Sequence, residues 1–203
     1  MDELRSKLTA LIDDPLGFVA DPRPELRRMA AAVLAPRSAD PAIAAALADL
    51  LASDEVDGVR SAAAQALASS GDASVLLRSS ADPAAEVREA VAFAIGEVGD
   101  PVAIEWLTQA AQHDPDDGTR EAAVAALGSL GDDRALPLLI ELASSASPKV
   151  RRRAVVALSV FESEEAAAAI RSAAADRNPM VKEAAEMIVG GQPVDLPWPS
   201  REP

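Results

Sequence analysis

The residues of this sequence that come nearest to a catalytic or metal-binding group are one histidine and a short acidic loop. His113 is followed by "DPDDG" at residues 114–118. One histidine cannot form a two-histidine metal site. The loop lacks the alternating oxygen ligands and the distal glutamate of a calcium loop. We therefore predict a solvated histidine beside helix-capping aspartates, with no catalytic residue, no metal ligand and no cofactor.

Two further stretches could contact phosphate. The glycine-rich "GEVGDP" at residues 96–101 lacks the preceding strand and the lysine of a phosphate-binding loop, which favours the end of one helix and the start of the next. The basic "PKVRRRAV" at residues 148–155 is interpreted as one structural arginine, Arg151, followed by a solvated edge of Arg152 and Arg153. If this stretch binds anything, we expect an acidic segment of a protein.

Charge and composition exclude several classes of function. Acidic residues outnumber basic ones by 33 to 19, giving a net charge of −14 that opposes binding to nucleic acid and to anionic membranes. Cysteine is absent. No apolar run reaches the length of about 18 residues that a membrane span needs, and the first residues do not resemble a signal peptide. We predict a cytoplasmic protein, and the sequence leaves its oligomeric state open, with a monomer favoured.

The apolar residues predict an all-α fold. They make up 49% of the chain, but aromatic residues only 2%, because alanine supplies much of the apolar count. Alanine favours helices and fills a core poorly, so that stability must come from closely packed helices.

A short pattern recurs along the whole chain. A residue pair ending in a base stands at Leu26-Arg27, Val59-Arg60, Val87-Arg88, Thr119-Arg120, Val150-Arg151 and Val181-Lys182. Six residues before each base is an acid, except in the fifth copy, which has a serine: Asp21, Asp54, Asp82, Asp114, Ser145 and Asp176. An acid ahead of a helix can accept hydrogen bonds from free backbone N–H groups, and a glycine after it can end it. Each copy is therefore predicted to be a helical hairpin.

The pattern predicts twelve helices in six hairpins. First helices are expected near 2–13, 41–52, 72–80, 101–112, 133–145 and 163–175. Second helices are expected near 24–35, 56–69, 84–97, 117–129, 148–160 and 179–189. The hairpins span residues near 1–37, 38–70, 71–98, 99–130, 131–161 and 162–190, as one domain, before a proline-rich tail at 191–203.

These hairpins resemble the HEAT-repeat family over about residues 1–190. The fifth unit, "GDDRALPLLIELASSASPKVRRRAVVAL", is similar to the family pattern, including the proline Pro137 in its first helix, and the other units carry "DxxxxVRxxAxxAL". The resemblance implies a right-handed α-solenoid. It also implies that the recurring acids and bases form a structural ladder, with each acid partnered by the base of its own unit or of a neighbour. The ladder residues are Asp54, Arg60, Asp82, Arg88, Asp114, Arg120, Asp176 and Lys182. Ser145 interrupts the ladder, which calls the partner of Arg151 into question.

The same resemblance implies that second helices line a concave face that binds a partner. Columns of this face are named by their distance after the ladder base. The residues expected to contact a partner belong to the columns one, four and five places after it: Glu89, Phe93, Glu121, Val124, Arg152, Val155, Val156 and Met187. Phe93 is either core filling or an aromatic anchor for a peptide or helix.

The function predicted is a non-catalytic scaffold or adaptor that binds another protein or peptide, either basic or bearing an apolar helix. One alternative is a bilin-lyase-like subunit or chaperone for cofactor attachment, and a weaker one is an acidic decoy of nucleic-acid-binding proteins. In the tail, we expect Trp198 to dock on the last hairpin, with disorder or a short ligand for another protein as alternatives.

Overall fold

The computed structural model describes residues 2–191, without the side chains of residues 2–6 and 8, and confirms the all-α fold. The predicted docking of Trp198 and the other readings of the tail after Gly191 lie outside the described residues. The chain divides into two compact units, residues 1–100 and 101–203. The prediction that all hairpins form one domain remains a prediction.

Each unit contains three helical hairpins. In the first unit the helices are α1 (Asp2–Asp13), α2 (Pro24–Leu34), α3 (Pro41–Ser53), α4 (Asp57–Ala66), α5 (Ala73–Leu77) and α6 (Ala85–Val98). In the second they are α7 (Ile104–His113), α8 (Asp117–Leu130), α9 (Leu136–Ser145), α10 (Pro148–Leu158), α11 (Glu164–Ala173) and α12 (Pro179–Val189). The short 3-10 helices at Pro101–Ala103 and Asp133–Ala135 precede α7 and α9. Helix α5 is shorter than predicted, and a 3-10 helix at Pro15–Phe18 was not predicted.

Helix ends follow from local hydrogen bonding. Asp40, Asp72 and Asn178 each accept a bond from a backbone N–H of the helix that they precede. Gly99 ends α6 and Gly131 ends α8 with φ of 72° and 59°, a left-handed conformation that glycine adopts without strain. "GEVGDP" is therefore a helix end followed by a 3-10 turn.

Second helices pack side by side within each unit. In the first unit α4 lies between α2 and α6, and in the second α10 lies between α8 and α12. First helices cover them on one side, with α3 against α4 and α9 against α10. The seventh position after the ladder base is fully buried in five hairpins, as Leu34, Leu67, Ile95, Leu127 and Leu158.

Helices α8 and α10 approach each other closely at a glycine. A Cβ atom added to Gly128 would lie 2.8 Å from the Cβ and 3.0 Å from the Cα of Ala157. These separations are shorter than van der Waals contact and involve backbone, so the helices would have to move apart. Gly58, near the start of α4, has open space around its Cα.

This contrast predicts opposite effects of two glycine-to-alanine substitutions. Gly128→Ala should lower the free energy of unfolding by about 1–3 kcal/mol because it overpacks the α8–α10 contact. Gly58→Ala should raise it by about 0.5–1 kcal/mol because alanine loses less backbone entropy in a helix. Urea unfolding of both variants measures the difference. Stabilisation by Gly128→Ala would contradict the close approach.

Candidate binding surface

The recurring bases and acids form ion pairs between adjacent hairpins. In the first unit, Arg27 donates from Nε and Nη2 to the carboxylate of Asp54, at 2.6 and 2.8 Å. Arg60 donates in the same way to Asp82, at 2.7 and 2.9 Å. In the second unit, Arg151 donates to Asp176 at 2.9 and 2.8 Å. In each pair the base belongs to one hairpin and the acid to the next.

Each ladder carboxylate also orders the turn ahead of a second helix. Asp54, Asp82 and Asp176 accept a bond from the backbone N–H two residues later, at 3.0, 2.9 and 2.7 Å. The paired side chains are between 4% and 13% exposed. Since both charges are withdrawn from water, the bidentate geometry and the additional backbone bond are needed to offset their desolvation.

These partners keep the ladder acids ionised. The hydrogen bond from Arg27, against the opposing effect of burial, holds the pKa of Asp54 below its usual value, and the Val56 N–H adds to the effect. The bond from Arg151 lowers the pKa of Asp176 in the same way. Burial works to raise the pKa of Asp82, but the bonds from Arg60 and the Ala84 N–H outweigh it, and the pKa is lowered.

The interruption of the ladder affects a different arginine from the one expected. Arg151 has its acid, Asp176, and the expectation about its partner is wrong because pairing runs from each base to the following acid. The arginine that lacks its ladder acid is instead Arg120, because Ser145 stands where that acid would be. Arg120 contacts Asp117 of its own helix at 3.3 Å. Lys182 likewise lies 3.7 Å from Glu186 of its own helix, and both are exposed.

Two other predicted ladder residues have local backbone contacts. Arg88 donates from Nη1 to the carbonyl of Asp82 at 2.9 Å. Asp114 accepts from the backbone N–H of Asp116 at 2.9 Å. Both contacts order the turn that precedes a second helix.

The predicted partner-binding residues separate into buried and accessible columns. The column four places after the ladder base is fully buried in five hairpins, as Ala31, Ala64, Ala92, Val124 and Val155. Val124 and Val155 therefore cannot contact a partner, and their prediction as contact residues is wrong. They are apolar because they pack between neighbouring helices.

The column five places after the base remains accessible throughout. Ala32 and Gln65 are exposed, and the others are half-buried: Phe93, Ala125, Val156 and Met187. In the second unit, each lies one helical turn beyond a polar residue, which is the largely buried Glu121, the half-buried Arg152 or the exposed Glu183. We call these six residues of α8, α10 and α12 the second-helix stripe: Glu121, Ala125, Arg152, Val156, Glu183 and Met187.

Two acids of the predicted surface are less available than expected. Glu89 is only 8% exposed. Glu121 accepts from Nε and Nη2 of Arg153 at 3.3 and 3.2 Å, and both side chains are largely buried. Arg153 is thus not a solvated residue as predicted. Burial lowers its pKa, which Glu121 opposes. The sequence did contain a signal for this pair. Glu121 and Arg153 have opposite charges and lie one and two places after the ladder base of adjacent hairpins.

The first unit contains an open cleft that the sequence did not reveal. Its volume is about 500 Å³, and its lining includes the ladder pair Arg27–Asp54 and the acids Asp49 and Glu55. Because the ladder pair is internally neutralised, these two acids give the cleft a negative potential. The repeat pattern does not predict this cleft, because residues 19 and 20, which follow the unpredicted 3-10 helix, form one of its walls.

Among residues 2–191, no cluster of histidine, aspartate and glutamate is suited to hold a metal ion. His113 is exposed at the end of α7. None of the helices described is both long and apolar enough to cross a lipid bilayer.

Helical hairpins with adjacent second helices and a charge ladder define a helical-repeat protein. The sequence profile of HEAT repeats matches residues 14–79, 74–147 and 137–190. The chain therefore belongs to the HEAT-repeat family. No curated protein matches it significantly.

Solved structures of low sequence identity share the fold. The CpcE–CpcF complex of phycocyanin lyase from Nostoc sp. PCC7120 is similar with a TM-score of 0.66 and 22% identity, over 88% of this chain and 76% of that one. The E. coli protein YibA has a TM-score of 0.63 and 21% identity, over 87% and 69%. A designed armadillo repeat protein in complex with the peptide (KR)4 has a TM-score of 0.58 and 17% identity, over 87% and 97%.

Breaking a buried ladder pair should destabilise the protein far more than breaking an exposed pair. Arg151→Met should lower the free energy of unfolding by about 3–5 kcal/mol because it leaves Asp176 buried and unpaired. The control is Arg171→Met, whose pair with Glu164 is exposed and should cost at most about 1 kcal/mol. Chemical denaturation measures both values. Equal losses would contradict a structural role for the ladder.

The lowered pKa values of the ladder acids predict a loss of stability in acid. Their contribution is complete above the unfolded-state pKa of about 3.9 and is lost as the pH falls through the lower folded-state pKa. The free energy of unfolding should therefore fall below about pH 4, and less steeply in Asp176→Asn. Asp49→Asn, at an exposed residue, is the control. Urea titrations across this range test the expectation, and an unchanged slope in Asp176→Asn would refute it.

Proposed function

We propose that the chain is a non-catalytic binding scaffold and that its second-helix stripe holds a segment of another protein. The observation that carries this proposal is the accessible pair Val156 and Met187. These residues lie at the same repeat position on the adjoining helices α10 and α12. Val155, which precedes Val156 in the chain, is fully buried. An accessible apolar pair on a face that the core does not use suits contact with a partner.

The flanking charges indicate what kind of segment would fit. Arg152 is half-buried and Glu183 is exposed, each one helical turn before an apolar stripe residue. An apolar centre with charges at its edge is the arrangement by which an amphipathic helix or an extended peptide is held. The proposed partner is therefore a protein segment with apolar side chains and charges of both signs.

In the first unit, Phe93 extends the proposal to a second, separate position. It occupies the same column as Val156 and is half-buried. An aromatic side chain at a partly covered position contributes large contact area, as binding anchors do. Glu89, one turn before it, is nearly buried and is better suited to supporting the helix than to contacting a partner.

The similar structures are compatible with this role and with one alternative. The designed armadillo repeat protein with bound (KR)4 is an example of a related fold that binds a peptide. The phycocyanin lyase complex is an example of a related fold associated with an enzyme. The alternative function, a bilin-lyase-like subunit or chaperone, predicts that the purified protein shifts the absorbance of an added bilin. The binding scaffold predicts no such shift.

A photo-crosslinking amino acid at Met187 tests the scaffold. We expect light-dependent adducts with a small set of native proteins, because the side chain lies on the stripe. Mass spectrometry identifies them. The control is the same amino acid at Gln109, which is exposed on the first helix α7.

A substitution in the same stripe separates specific from incidental contact. Val156→Asp in the Met187 crosslinking protein should abolish these adducts, since it places a charge in the apolar centre. Circular dichroism of this variant checks that it stays folded. Equal adducts from Met187 and Gln109, or adducts unaffected by Val156→Asp in the folded protein, would contradict the proposal.

A further inference from the structure

The interruption of the ladder leaves polar groups without the acceptor that their counterparts have. In the other pairs described, Nε and Nη2 of the arginine bind one carboxylate, which also accepts from the N–H two residues later. For Arg120, the residue at the place of the following ladder acid is Ser145, which has no carboxylate. The hydroxyl of Ser145 donates to the carbonyl of Glu141 at 3.0 Å and is exposed.

Two buried atoms at this interruption have no hydrogen-bond partner within residues 2–191. One is Nε of Arg120, the atom that binds the acid in the intact pairs. The other is Oγ of Ser147, two residues after the missing acid, directly before α10. Arg120 belongs to α8 and Ser147 is the N-cap residue of α10, and these two helices pack against each other. Buried polar groups without a partner, on two helices that pack together, are costly, so an acceptor from outside the chain would stabilise them.

The interruption is also more open than the intact pairs. The side chain of Arg120 is 24% exposed, compared with 10%, 13% and 4% for Arg27, Arg60 and Arg151. Its only acidic contact in the part of the chain described is Asp117, at 3.3 Å, and Asp117 is half exposed. A carboxylate from a ligand therefore has to compete only with the contact between Arg120 and the half-exposed Asp117.

The charges around this position favour an acidic ligand. Lys149 is exposed and Arg152 is half-buried on the first turns of α10, and neither has an ion pair within residues 2–191. The nearby acids are Asp117, the exposed Glu141 and the half-buried Asp116, whose carbonyl accepts from the Arg120 N–H and whose carboxylate caps α8. Glu121 is engaged by Arg153. Unpaired cations beside a helix N-terminus attract an anion.

We propose that Arg120, Ser147 and the start of α10 form a carboxylate-binding site that takes an aspartate or glutamate side chain from an acidic segment of a partner protein. The incoming carboxylate completes the ladder by binding Nε of Arg120 as the ladder acids do elsewhere. This proposal rests on the proposed scaffold function, since the site lies beside Arg152 of the second-helix stripe. The partner segment is therefore expected to carry an acidic residue at the position that meets Arg120.

The test measures binding of a fluorescent poly-glutamate peptide by anisotropy at low salt. Ser145→Asp supplies the missing carboxylate from within the chain. We expect it to weaken peptide binding about tenfold or more and to raise Tm by about 2–4 °C. The matched control is Ser144→Asp, which adds the same charge one residue earlier, where the serine is also exposed and its hydroxyl also bonds to the Glu141 carbonyl. It should change the affinity less than about threefold, through general repulsion alone.

Several outcomes would overturn the site. Equal weakening by both substitutions would mean diffuse attraction to Lys149 and Arg152. Undetectable binding by the wild type, or no gain in Tm from Ser145→Asp, would mean that Arg120 needs no further acceptor. Competition by inorganic phosphate that is stronger than competition by acetate would reassign the site to phosphate groups. Because the probe is a defined peptide, these outcomes are independent of whether crosslinking at Met187 finds a native partner.

Discussion

A guanidinium group held between packed helical hairpins needs an acceptor, and this requirement shapes three of the four junctions between hairpins within the units. Arg27, Arg60 and Arg151 are each fixed by two bonds to the acid of the following hairpin. That acid in turn fixes the turn before its own second helix. One carboxylate thus links a contact between hairpins to the start of a helix, so that local and tertiary structure are specified together.

The local pattern was sufficient to predict the hairpins. Nine of the twelve helices described have a proline, a capping side chain or a glycine that acts within one turn, and such effects can be read from adjacent residues. The direction of ladder pairing could not be read in this way. An arginine six residues after an acid is near that acid in sequence, but only the packed helices bring the next acid within reach of its Nε.

The candidate site was predicted less completely because sequence shows polarity and not depth. Val155 and Val156 are adjacent and identical in type, yet one is fully buried and the other half-buried. A turn of 100° separates them on the helix, and the position of the neighbouring helix decides which one is covered. Arg153 was misplaced for the same reason: its charge indicated solvent, whereas its position beside Glu121 in the packed unit indicates a buried pair.

The separation between the buried fourth column and the accessible fifth column has an evolutionary consequence. The fourth column is restricted to alanine and valine in five hairpins, while the fifth contains alanine, glutamine, phenylalanine, valine and methionine. Specificity can therefore diverge by exchanges in the fifth column without disturbing the adjacent helix contacts. A combinatorial library confined to those positions would retain the architecture while sampling new recognition properties, in the way that antibody frameworks tolerate varied loops.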